Sequence, residues 1–131
     1  MPSTYQVQDS DMSRCIESCQ SCSRTCLETA HYCLTQQGVS AGSTILGLLF
    51  QCADVCQLSV RMMAAESEFH HQSCELCFEV CQRCAVECEK YEQDEVFKKC
   101  AKVCRRCAED CRKMSGMTVQ IKEGSRESLR M

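Results

Sequence analysis

The 131 residues contain one proline, Pro2, so the residue most disruptive to a helix interior is missing from the rest of the chain. Hydrocarbon is also scarce. Without its 16 cysteines the apolar share of 44% falls to about one-third, lean for a globular chain. The formal net charge is only -3, and acidic and basic residues are interleaved, leaving no basic stripe for nucleic acid and no block of one sign. From Met1 to Arg14 there is no basic segment followed by an apolar one and no twin-arginine signal, and no later stretch approaches transmembrane length. These absences predict a cytoplasmic protein without nucleic-acid or membrane partners. No nucleophile–base pair, phosphate loop or carboxylate dyad points to catalysis, so an enzyme is not expected. The length allows one domain with a modest core.

Cysteine is what the chain has in excess, at Cys15, Cys19, Cys22, Cys26, Cys33, Cys52, Cys56, Cys74, Cys77, Cys81, Cys84, Cys88, Cys100, Cys104, Cys107 and Cys111. Steps of three, four and seven residues return to one side of an α-helix, so the cysteines fall into four stripes. Four stripes imply four helices facing one another, with cysteine supplying much of the interior. Such density is common in small secreted disulfide scaffolds. Geometry opposes that reading: neighbours on a stripe have Cβ atoms about 5–6 Å apart, whereas a disulfide needs about 3.8 Å. Such neighbours are poor disulfide partners and good joint ligands.

The pattern predicts an all-α, antiparallel up-down-up-down four-helix bundle with a cysteine-lined core. Its first helix runs from about Ser10 to Gln37, with Ser10 or Asp11 as N-cap and Gly38 as the stop. The second follows the Gly38–Ser43 turn to about Glu66, the third spans about Glu68 to Tyr91, and the fourth spans Asp94 to Met114 before Gly116. Connections this short force neighbouring helices to run antiparallel. The domain reading is an N-terminal extension over residues 1–9, the bundle over 10–114, and a flexible tail over 115–131.

The motif C-x3-C-x2-C-x3-C occurs at Cys15–Cys26, Cys77–Cys88 and Cys100–Cys111, while the second helix keeps only Cys52-x3-Cys56. From Gly38 to Val60 the only charge is Asp54, and Leu46, Phe50, Ala53 and Ala64 project away from the cysteines. A helix apolar on its outer face as well is expected to meet another subunit, which predicts a homo-oligomer.

A thiolate interior selects soft metals, namely Cu(I), Zn(II) or an iron–sulfur cluster. Charge discriminates among them, because each uncompensated buried ion costs several kcal/mol. Four zinc ions would cancel only half of 16 thiolate charges, whereas one Cu(I) per thiolate cancels all of them. Zinc also prefers discrete sets of four, and these ligands form a rod. The ferredoxin run C-x2-C-x2-C with its following proline is absent. A thioredoxin-like motif would open a helix beside a sheet, and no strand is expected. Many Cu(I) ions per chain is the favoured reading. A disulfide-stapled helical structural protein and a zinc or iron–sulfur protein are the alternatives.

In QCADVC at Gln51–Cys56, CELCFEVCQRCAVECEK at Cys74–Lys90 and KKCAKVCRRCAEDCRKM at Lys98–Met114, the chain resembles the cytosolic branch of the four-helix-bundle copper storage proteins. The resemblance implies a homotetramer of bundles, each holding Cu(I) through cysteines without a catalytic step. It implies that all 16 cysteines are ligands; a store of this kind is expected to exchange copper with copper chaperones or copper-requiring enzymes. Where related sequences often carry histidines before the fourth helix, this chain reads Tyr91-Glu92-Gln93-Asp94-Glu95.

The topology gathers Met12, Met62, Met63, His70, His71 and Met114 at one bundle end. His70 lies four residues before Cys74 and Met63 seven after Cys56, so both continue a cysteine stripe and are candidate accessory ligands where copper enters. His31 falls on the far side of its helix from the cysteines. At the opposite end Ile45, Leu49, Tyr91 and Phe97 lie on or beside the stripes, near Cys33, as an apolar plug.

Overall fold

The computed structural model describes residues 2–36 and 42–116. They form α1 (Pro2–Thr35), α2 (Ser43–Ala64), α3 (His70–Glu89) and α4 (Glu95–Ser115), with no strand among the described residues. Each helix packs on the next and α4 closes back on α1, giving the expected four-membered ring. The first connection beyond Gln36, including Gly38, and the tail beyond Gly116 lie outside the described residues.

The start of α1 differs from the expectation. The helix begins at Pro2, so Ser10 and Asp11 lie within it instead of capping it, and residues 2–9 are continuous with the bundle's first helix. Proline is well tolerated at a first helical position, where its missing N–H has no intrahelical partner to lose. No glycine or further proline follows until Gly38. Asp11 instead pairs with Arg14 at 3.3 Å along the exposed surface.

The ends of α4 follow the sequence signals closely. Asp94 is its N-cap, with Oδ1 accepting from the backbone N–H groups of Val96 (2.9 Å) and Phe97 (3.4 Å). Gly116, with φ 80°, takes the left-handed conformation that ends the helix. The second oxygen of Asp94 accepts a 2.6 Å hydrogen bond from the Tyr32 hydroxyl, tying the end of α1 to the start of α4. Asp94→Ala is expected to lower apo-protein stability by about 1–2 kcal/mol through the lost cap. Asp94→Asn, which retains a capping oxygen, should cost less, and urea denaturation of the two variants checks the ordering.

A polar contact fixes each seam between neighbouring helices. Ser23 Oγ donates to Ala53 O (3.2 Å) and accepts from Gln57 Nε2 (3.1 Å) between α1 and α2. Ser59 Oγ donates to Ser73 O (3.1 Å) between α2 and α3. Arg105 and Glu89 form a two-point ion pair at 2.9 and 2.8 Å between α3 and α4. Ser18 Oγ donates to Asp110 Oδ2 (2.5 Å) between α1 and α4. The exposed ion pair adds little stability. Together these contacts set the rotation of each helix about its axis and keep the cysteine stripes inward.

Two further expectations for α2 need correction. Ala53 is buried in the seam with α1, where the Ser23 contact brings the two backbones close, and is not part of an outer face. In addition, α2 is long and apolar enough by composition to cross a membrane, which the sequence reading did not anticipate. Its cysteine-bearing side packs between α1 and α3, as a core helix does, while Phe50 and Leu58 remain exposed on its other side.

Candidate metal centre

Fifteen of the 16 cysteines have no exposed surface, and Cys33 is half-buried. They form layers along the bundle axis, set by the helical repeat. Cys15 and Cys111 meet at 3.7 Å near the α4 C-terminal end, and Cys19 lies 3.6 Å from Cys111 and 3.7 Å from Cys107. Cys56 then bridges Cys77, Cys81 and Cys107 at 3.7–3.8 Å. Cys52 lies 3.5 Å from Cys81 and 3.7 Å from Cys22, which is itself 3.7 Å from Cys104. Cys26 continues the row to Cys104 at 3.8 Å and Cys100 at 4.0 Å. Cys74 joins this network through Cys111 and Cys15, and Cys84 and Cys88 join it through Cys100.

These separations suit metal-bridged sulfurs. Two sulfurs sharing one ion at about 2.3 Å each stand at most about 4.6 Å apart, whereas a disulfide would need about 2.05 Å. Three tetrads have all their sulfurs within 4.8 Å of one another: Cys19/Cys56/Cys77/Cys107, Cys22/Cys26/Cys52/Cys104 and Cys22/Cys52/Cys56/Cys81. The tetrads overlap, since Cys56, Cys22 and Cys52 each belong to two of them. Cys19/Cys56/Cys77/Cys107 and Cys22/Cys26/Cys52/Cys104 share no ligand, but the third tetrad draws on both, so the thiols form one connected row, which suits bridging thiolates and Cu(I) better than separate tetrahedral zinc sites.

The family model for copper storage proteins matches residues 8–116. This chain belongs to the copper storage protein family. The cysteine-rich protein YhjQ of Bacillus subtilis (strain 168) is 38% identical over 80 residues, which is 61% of this chain and 74% of that one. The Cu(I)-bound copper storage protein BsCsp3 is 35% identical with a TM-score of 0.76, over 80% of this chain and 98% of that one. A cytosolic copper storage protein from Streptomyces lividans, solved with five coppers, is 27% identical with a TM-score of 0.79, over 85% of this chain and 97% of that one.

In this member of the copper storage family the interior thiols push one another in opposite directions: hydrogen bonds with Cys104 pull Cys22, Cys52 and Cys100 down and one with Cys107 pulls Cys77 down, while other thiols are pushed up. The hydrogen bond with Cys107, followed by burial, pushes the Cys19 thiol up to about 12. The Cys111 contact pulls Cys74 down, but Cys15 and burial outweigh it and bring Cys74 to about 12. Hydrogen bonds with Cys100 and Cys84, then burial, also push Cys88 up. At Cys19, Cys74 and Cys88 the thiol keeps its proton in the empty tube, so metal binding there must expel it.

The remaining candidates divide between the two ends. Met63 is fully buried, and His70 is half-buried and meets His71 in a tilted ring contact, centroids 4.2 Å and planes 34° apart. His70 Nδ1 lies 3.0 Å from Ser67 O and His71 Nδ1 lies 2.9 Å from Met114 O. A carbonyl only accepts, so both Nδ1 atoms carry a proton, which leaves Nε2 as the ring nitrogen that can bind a metal. At the other end Ile45, Leu49 and Phe97 are fully buried, Tyr91 stacks on Phe97 at 4.2 Å, and Tyr32 meets Phe97 edge-on at 6.1 Å. The expected apolar plug is in place. His31 is exposed, as its position on the helix predicts.

Proposed function

We propose that the fifteen fully buried cysteines are the ligands of a Cu(I) store that binds many ions inside a preformed tube. The observation that carries this reading is the overlap of the thiol tetrads, which favours shared, bridging ligands over closed zinc sites. Cys33 is the peripheral member of the set. It is partly exposed at the plugged end, and among the described residues it makes no thiol–thiol hydrogen bond.

The store has no catalytic step and works in the cytoplasm, in keeping with the Streptomyces relative described as cytosolic. It assembles as a homotetramer, using the apolar outer side of α2 around Phe50 and Leu58. Copper passes to and from chaperones or copper-requiring enzymes.

Anaerobic titration of the fully reduced protein with Cu(I), in competition with a chromophoric chelator, tests the proposal. The expected endpoint is near or above one copper per buried cysteine, with the chelator left almost empty until then. Saturation at four or fewer ions would instead indicate discrete zinc-type or cluster sites.

A further inference from the structure

Each of the four cysteine stripes is prolonged beyond its last cysteine at one end of the bundle by a neutral soft donor. Met12 stands three residues before Cys15 on α1, and Met63 stands seven after Cys56 on α2. His70 stands four before Cys74 on α3, and Met114 three after Cys111 on α4. All four spacings return to the cysteine side of the helix. Met63 is fully buried in the core, Met12 and Met114 pack against it from partly buried positions, and His70 is half-buried.

The opposite end is built from different chemistry. There the stripes run into Leu49 and Ile45 on α2, Tyr91 three residues after Cys88, and Phe97 three before Cys100. On α2, α3 and α4 hydrocarbon and ring faces fill the positions where a ligand atom would be needed, and on α1 the half-buried Cys33 is the one thiol there. The stacked Tyr91–Phe97 pair, with Tyr32 held against it by Asp94, closes that end.

We infer that Met12, Met63, His70 and Met114 form the port through which Cu(I) enters and leaves the tube, and that the aromatic end is not a route. This rests on the copper-storage reading given above. Cu(I) moves between proteins by exchanging ligands, and a path offering only the lone thiol of Cys33 before the apolar plug would leave the ion bare in a low-dielectric interior. Thioether sulfur and imidazole nitrogen bind a soft ion without adding charge or needing to lose a proton. The first thiols inward, Cys15, Cys74 and Cys111, then take the ion. One bond from copper to a thioether or imidazole breaks, one copper–thiolate bond forms, and the thiol proton passes to solvent, with no electron transferred.

His71 has a positioning role in this arrangement. Its Nδ1–H donates to Met114 O and its ring lies tilted against His70, so it straps the first turn of α3 to the last turn of α4.

Methionines also serve as ordinary core filler, and the test must separate packing from ligation. Methionine-to-leucine changes keep volume and cost little stability, so the variant Met12→Leu, Met63→Leu, Met114→Leu, His70→Gln removes the donors while retaining the shape. Cu(I) supplied from a chromophoric chelator is followed anaerobically by stopped flow, with circular dichroism confirming the helices. The expected result is initial uptake at least about tenfold slower, at a final capacity within four ions of the parent. The single variant His70→Gln, at a half-buried position, should show a smaller slowing and covers the case in which the fourfold variant folds poorly. His31→Ala, at the other end, should load at the parental rate.

Parental uptake by both port variants would overturn the inference, as would an equal slowing by His31→Ala. The rate tests the port, while the parental endpoint tests the store. A parent saturating at four or fewer ions would remove the storage reading itself, whatever the rates.

Discussion

Raising the pH from about 8 to about 11 is expected to unfold the reduced, copper-free protein and to leave the copper-loaded protein folded. A free thiol ionises near pH 8.5, whereas the folded tube holds Cys19 and Cys74 up at about 12. Between those values the unfolded chain binds fewer protons than the native one. Stability therefore falls as pH rises, being fully present below the unfolded pKa and lost towards the folded one. Each thiol held up in this way loses about 1.4 kcal/mol per pH unit across that window, against a whole stability of about 5–15 kcal/mol for a typical domain. In the loaded protein the thiols have already lost their protons and each charge is met by copper, so the linkage disappears. Far-UV circular dichroism against pH, under argon with reductant, distinguishes the two forms. A copper-free protein that kept its helices to pH 11 would mean that the thiols ionise in place. The same proton release makes copper affinity fall as pH falls, by about tenfold per pH unit for each thiol ionised on binding.

The fold was legible in the sequence wherever a feature depends on spacing along one helix. The inward face of each helix follows from the cysteine period, and α4 announces both ends through Asp94 and Gly116. The start of α1 was misplaced because Ser10 and Asp11 look like caps, although a cap residue ends nothing unless the chain upstream departs from the helix. Ala53 was misassigned for a related reason. A helical wheel gives its direction relative to Cys52 and Cys56, but the breadth of the buried arc depends on how closely α1 approaches, and Ser23 draws it near.

Contacts between helices were less accessible. Nothing in the spacing pairs Ser18 with Asp110 or Tyr32 with Asp94, because each contact depends on the relative height and rotation of two helices. Cys33 shows the same limit. It is in register with the stripe of α1, yet α2 and α4 offer Ile45 and Phe97 at that end in place of cysteines, leaving it at the margin. The tetrad overlap, which carries the functional reading, likewise exists only once four stripes are assembled.

The plug sets the second large effect. Phe97→Ala is expected to destabilise the copper-free protein by about 3–5 kcal/mol, the usual cost of emptying a buried aromatic site. Phe97 has no exposed surface, is stacked by Tyr91 and edged by Tyr32, and sits with Ile45 and Leu49 among the few large hydrocarbon side chains of the interior. Elsewhere the core is mostly thiol, and removing one sulfur from Cys52 or Cys81 takes away far less buried surface than removing a phenyl ring. The apo bundle thus depends unusually on one end of the tube. Copper should mask the defect, because a ligand that binds only the folded state adds about 2.7 kcal/mol for each site held at a hundred times its Kd. Urea denaturation of parent, Phe97→Ala and Cys52→Ala, each with and without Cu(I), checks this pattern. A Phe97→Ala loss no larger than that of Cys52→Ala would mean that the thiols carry the empty fold. A tube that must stand open before copper arrives requires stability that does not come from copper, and Phe97 with its neighbours supplies it at the end where no ion has to pass.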